Sequence, residues 1–152
     1  MSRTEEVELT NMCMVCDGLG NVLMQQKQCA DWSGWSFPGG HVEEGECVSA
    51  SVVREIYEET GLTVQNPYLC GIKEFHKRED GKRYIVFLYR ADRFTGTLRA
   101  SDEGEVFWQP LDGLDPQKLV PSFDEILTVY QNESVSEVFY ERRDGKLQTV
   151  FY

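Results

Sequence analysis

Arg54, Glu55, Glu58 and Glu59 stand together in the stretch "REIYEETGL". On a helix, Glu55 lies one turn before both Glu58 and Glu59, so the three carboxylates share a side. Like charges at this spacing repel, and no lysine lies between Gly39 and Leu62 to relieve them. A solvated acidic face is one explanation. Clustered oxygen ligands without local lysine are better explained as ligands for a hard divalent cation, Mg²⁺ or Mn²⁺. Arg54 is adjacent to Glu55 and four residues before Glu58, so its guanidinium can pair with and orient a carboxylate.

These residues need a helix, and the spacing predicts one over 47–60, ended by Gly61. Val52, Val53, Ile56 and Tyr57 form an adjoining arc that can pack on a sheet. Ahead of the helix, Pro38-Gly39-Gly40 permits close backbone approach, and its carbonyls can join a metal shell. The D-x-D-x-D-G spacing of an EF-hand is absent. Upstream, "VELTNMCMVCDGLGNVLMQQKQ" reads as two strands about a turn, and a short strand is expected near Trp35–Phe37. Downstream, β-rich runs flank "EDGK", "GEVFWQPL" reads as a strand ended by Pro110, and Phe123, Ile126, Leu127 and Tyr130 are at helical spacing. The tail suggests a hairpin about Asp144-Gly145. Many strands with two separated helices predict an α/β or α+β fold with a mixed sheet, and no G-x-G-x-x-G follows a strand.

The 152 residues suit one domain spanning 1–152. With 26 acidic against 15 basic residues and a net charge of -11, the chain is a poor partner for nucleic acid or an anionic membrane. An anionic substrate would need metal ions to bridge it to such a protein. The start shows no signal-peptide pattern, and no apolar run approaches the length of a membrane span. Five scattered cysteines fit a reducing cytosol, hence a cytoplasmic protein. The C-x-x-C at Cys13 and Cys16 lies within a strand, where residues three apart face oppositely, and reads as buried thiols. His41 and His76 read as surface or packing residues.

Gly40, Glu46 and then Arg54-Glu55-Ile56-Tyr57-Glu58-Glu59-Thr60-Gly61-Leu62 resemble, at every fixed position, the signature of the Nudix hydrolases. The resemblance implies a mixed sheet sandwiched between helices, with the signature forming a loop–helix–loop. It also implies Mg²⁺- or Mn²⁺-dependent hydrolysis of a nucleoside diphosphate linked to another group. Carried over, Glu55, Glu58, Glu59 and the Gly39 carbonyl match metal ligands, Arg54 holds a glutamate in place, and Gly40 and Glu46 support them. Glu55 is ligand, general base, or both. A further ligand from a later loop is common in the family. Glu103 and Glu105 are candidates, with Glu103 preferred.

Within the family the chain is similar to the MutT-like, 8-oxo-dGTP-hydrolysing branch. That likeness nominates Lys27 for phosphate, at a position where arginine is common, and Asp124 for the base edge, while Ser36 stands where a longer polar residue often reads the base. The aromatics Trp32, Trp35, Phe37 and Phe123 are candidates to stack on it. The expected reaction is hydrolysis of a nucleoside triphosphate to monophosphate and pyrophosphate. The alternatives are another nucleoside diphosphate derivative, such as a nucleotide sugar or dinucleoside polyphosphate, or a non-catalytic nucleotide sensor. A monomer or a homodimer is expected.

Overall fold

The computed structural model describes residues 2–152. Ten strands and two α-helices follow the order β1 (Val7–Val15), β2 (Asn21–Cys29), β3 (Trp32–Ser36), α1 (Val48–Thr60), β4 (Leu62–Val64), β5 (Tyr68–His76), β6 (Arg83–Ala91), β7 (Phe94–Gly96), β8 (Val106–Pro110), α2 (Phe123–Gln131), β9 (Glu137–Arg143) and β10 (Lys146–Phe151). A five-stranded sheet runs β1-β6-β5-β9-β10, a three-stranded sheet β3-β2-β8, and β4 pairs with β7. The large sheet is mixed: β1 is parallel to β6 and β5 to β9, and the other pairs are antiparallel.

The alternation of β1 divides the core. Cys13 and Val15 face α1 and pack with Leu23, Val52, Ile56 and Leu62. Met12 and Met14 face the other way and pack with Met24, Phe37, Phe123 and Ile126 beneath α2. Each face of the strand layer is therefore capped by one helix, as the period-2 pattern demands.

The expected helix over 47–60 forms from 48, and Gly61 ends it in the left-handed conformation (φ 78°). The turn about 17–20 and the hairpins about 79–82 and 144–145 form as read, although β1 and β2 meet only at the Cys16–Val22 bridge and enter different sheets. Asp17 closes the first by accepting from the Leu19 and Asn21 N–H groups. The strand expected at Trp35–Phe37 begins earlier, at Trp32, because Cys29 to Gln25 supply an antiparallel partner for it. Strands β4 and β7 are too short to show a period and were not expected. Cys13 is buried and Cys16 half-buried, and burial pushes both thiols above their usual range. Among the described residues no helix is long and apolar enough to cross a membrane.

Ile56 is fully buried between α1 and the sheet. Ile56→Ala should cost about 2–5 kcal/mol of stability. Urea unfolding would then show a lower midpoint at unchanged slope. A loss below about 1 kcal/mol would mean that α1 docks by other contacts.

Candidate active site

The site is organised around the Arg54 guanidinium. Its Nε and Nη2 donate to the two oxygens of Glu46 at 2.8 and 3.0 Å, a bidentate pair. Its Nη1 donates to Glu55 at 2.9 Å and to Glu58 at 3.2 Å, and Nη2 also reaches the His41 carbonyl at 2.9 Å. One side chain thus ties the loop at 41–46 to two turns of α1. The bond from Arg54 holds the Glu46 carboxyl below its usual range, and Glu46 in turn raises Arg54, which stays charged at every working pH.

The glycine loop is pressed against β1. The Asn11 N–H donates to the Gly40 carbonyl at 2.8 Å and the Cys13 N–H to the Pro38 carbonyl at 2.9 Å. Between them, the Gly39 N–H donates to Glu59 at 2.9 Å. A Cβ at Gly39 would lie 2.2 Å from the Asn11 carbonyl oxygen, and one at Gly40 would lie 2.4 Å from the Glu55 carboxyl carbon. Glycine at both positions lets the loop lie on β1 and the carboxylates of Glu55 and Glu59 lie on the loop.

The three glutamates therefore differ. Glu58 is 56% exposed, Glu55 13% and Glu59 2%. Burial, reinforced by the neighbouring Glu103 carboxyl, pushes Glu59 up to about 8, against the pull of Lys27 and the Gly39 N–H. The Lys27 ammonium stands 3.4 Å from Glu59. Burial also raises Glu55, opposed by Arg54. Two carboxyls crowded in a buried setting, with backbone oxygen nearby, are a donor set suited to a hard divalent ion. Among the described residues no three such side chains close on a single point as they stand. Arg54 separates Glu55 from Glu58, and Glu59 leans on Lys27 and Gly39.

Beside this group a cleft of about 590 Å³ opens, lined by Lys27, Trp32, Phe37, Gly39, Gly40 and Glu103, and further along by Lys73, Tyr84 and Tyr140. The structure thus brings Lys27, Phe37, Gly39, Gly40 and Glu103 to one space, with Glu59 directly behind. Glu105 does not line the cleft; it lies on an outer groove with Gln26 and Gln28.

Four expected substrate contacts are elsewhere. Lys27 pairs with Gly34 and Gln26 with Trp35, so Trp35 projects from the opposite face to Lys27 and packs edge-on against Phe107. Ser36 lies opposite Gln25 and is wholly buried. Phe123 is 1% exposed, sealed against Phe37 in the core. Asp124 is exposed on the first turn of α2, outside the cleft lining. Motif position located these residues along the chain but not the face on which each falls. Lys73 and Tyr140 also line the cleft, and no motif singles them out. The available signal was phase: Lys73 alternates with Phe75, not with the polar Glu74.

The fold and this carboxylate cluster define a Nudix enzyme. A profile of the NUDIX domain matches residues 9–130, and the chain belongs to that family. It is a Nudix pyrophosphohydrolase of MutT-like type, acting on nucleotide derivatives. It is 33% identical over 123 residues to the uncharacterised Nudix hydrolase YvcI of Bacillus subtilis, covering 78% of this chain and 75% of that one. It is 33% identical over 94 residues to an oxidised purine nucleoside triphosphate hydrolase of Danio rerio, covering 61% of this chain and 60% of that one. Among solved structures, a mutator MutT protein from Bacillus halodurans superposes with a TM-score of 0.74 at 28% identity, over 95% of this chain and 97% of that one. Nudix hydrolases generally use divalent metal ions.

Glu59 binds its proton more tightly folded than unfolded. Between pH 4.5 and about 8 the folded state therefore holds the extra proton, and stability falls as pH rises through that window. In metal-free protein the Glu59 contribution is at most about 1.4 kcal/mol per pH unit. Glu59→Gln should flatten the decline of the thermal midpoint across this range. Identical slopes for the two proteins would show that Glu59 titrates as an ordinary carboxyl.

Proposed function

We propose that this enzyme hydrolyses a nucleoside triphosphate to the monophosphate and pyrophosphate, with Mg²⁺ or Mn²⁺ held by Glu55, Glu58, Glu59, Glu103 and the Gly39 carbonyl. The observation that carries the reading is the buried Glu59 carboxyl beside Glu103, with Lys27, at the edge of a cleft walled by aromatic side chains. The oxidised purine nucleoside triphosphate hydrolase similarity supports a purine among the substrates, 8-oxo-dGTP included.

The ion, when bound, neutralises phosphate charge and lowers the pKa of attacking water. Glu55 is the base that takes the water's proton as the oxygen attacks phosphorus. Its burial favours proton uptake, and Arg54 fixes its direction. Lys27 swings from Glu59 to the substrate phosphates as a point charge. Glu46 acts through Arg54: it holds two of the guanidinium nitrogens and leaves Nη1 for Glu55 and Glu58. Gly40 keeps the surface beneath Glu55 flat. No covalent protein nucleophile takes part.

Glu55→Gln should lower kcat by about 10²–10⁴-fold, the range of a lost general base. Glu58→Gln, at an exposed position, should leave the thermal midpoint near that of the unaltered protein while activity drops at least about tenfold. Turnover of either variant at the rate of the unaltered protein would sink the site assignment. The substrate class is tested by a nucleotide panel with Mg²⁺, following pyrophosphate and monophosphate release. Absence of triphosphate turnover, with hydrolysis of a nucleotide sugar or dinucleoside polyphosphate, would replace the present reading.

A further inference from the structure

Lys73 is a lysine in the wrong place for a soluble protein. It lies mid-strand on β5, is 7% exposed, and lines the cleft. Among the described residues no carboxylate comes within ion-pair distance of its ammonium. Its neighbour is the Tyr140 ring, whose centroid lies 4.9 Å from Nζ. Burial draws the ammonium below its usual range, and the more distant Glu125 and Asp124 pull it back only in part. A largely buried cation with no carboxylate partner is costly to keep, and stability alone does not call for one.

The sheet register places this cation relative to the glutamates. His41 pairs with Thr10, Thr10 with Val86, and Val86 with Lys73, forming one row across the strands. All four line the cleft. Lys73 is thus three strand spacings from the glycine loop, roughly 14 Å at the usual separation. That is the length scale of an extended nucleotide. With phosphates at the Glu59 end, the ring system reaches Lys73. The wall there is aromatic: Phe75 stacks on Tyr84 with centroids 5.1 Å apart, and Tyr140 lies 5.8 Å from Phe75. An aromatic wall with a cationic donor fits a flat ring bearing a strong acceptor.

We infer that Lys73 is a specificity-determining residue, donating a hydrogen bond to a ring carbonyl of the base at position 6 or 8 of a purine. A 6-amino group presents its own N–H donors to the ammonium and is rejected. The inference deepens the proposed function and rests on it for the orientation of the nucleotide. Its test avoids turnover altogether.

Binding of monophosphates is measured calorimetrically for the unaltered protein, Lys73→Met and Lys73→Gln. The pairs are inosine against adenosine monophosphate, and 8-oxo-dGMP against dGMP. The carbonyl-bearing member of one pair should bind about 10- to 100-fold more tightly, the value of a hydrogen bond from a charged donor. The pair that discriminates locates the carbonyl. Lys73→Met should abolish the preference without lowering the thermal midpoint, since it removes a buried charge. Lys73→Gln, which keeps a neutral donor, should retain part of it. Equal binding within both pairs, or a preference that survives Lys73→Met, would overturn the inference. A Lys73-dependent preference in a protein that turns over no triphosphate would uphold it and reject the triphosphate reading instead.

Discussion

The site depends on one guanidinium. Arg54 fills both oxygens of Glu46 and still reaches Glu55, Glu58 and a loop carbonyl. Without that charge, the carboxylates of α1 and the acidic loop before it would repel each other in a chain that is already strongly anionic. Arginine suits the position because its planar fork satisfies several acceptors at once; a lysine ammonium could not span them. The loop is consequently fastened to the helix from above by Arg54 and to β1 from below by backbone hydrogen bonds on either side of Gly39.

The two halves of the core explain how so polar a cluster is held still. Ile56 and Val52 anchor α1 on the sheet, and Glu55, Glu58 and Glu59 follow from that anchoring because they occupy the adjoining arc. Glu59 is taken so far inward that it is almost completely removed from water, while Glu58, on the same helix, remains open to solvent. Three like residues in the same turn thus have three environments, fixed by helix rotation and by the loop that covers one edge.

Much of this was legible in the chain. The helical spacing of Glu55, Glu58 and Glu59 and the placement of Arg54 need only local geometry, and local geometry survives folding. Asp144-Gly145 and Gly61 were readable for the same reason: each adopts a positive φ that its residue type tolerates. That Trp35, Ser36 and Phe123 lie outside the cleft lining was not legible, because a strand or helix residue is assigned to a face only once its partners are known. One residue's phase decides between cleft and core. Lys73 was passed over because "KEFHK" looks like solvent-facing charge until β6 and β9 are laid on either side of β5.

Tyr140 carries a separate consequence. Its hydroxyl donates to Glu125 of α2, and Thr149 of β10 donates to the other oxygen of the same carboxyl at 2.8 Å. The hairpin that contains both lies beyond residue 130, where the match to the family profile stops. The stretch that matches the profile holds every acidic side chain of the candidate centre, whereas Tyr140, part of the cleft wall, lies outside it. On the proposed reading, chemistry and base selectivity are thereby carried by separate lengths of chain. A change confined to the terminal hairpin would, on that reading, retune nucleotide preference and leave the hydrolytic centre untouched.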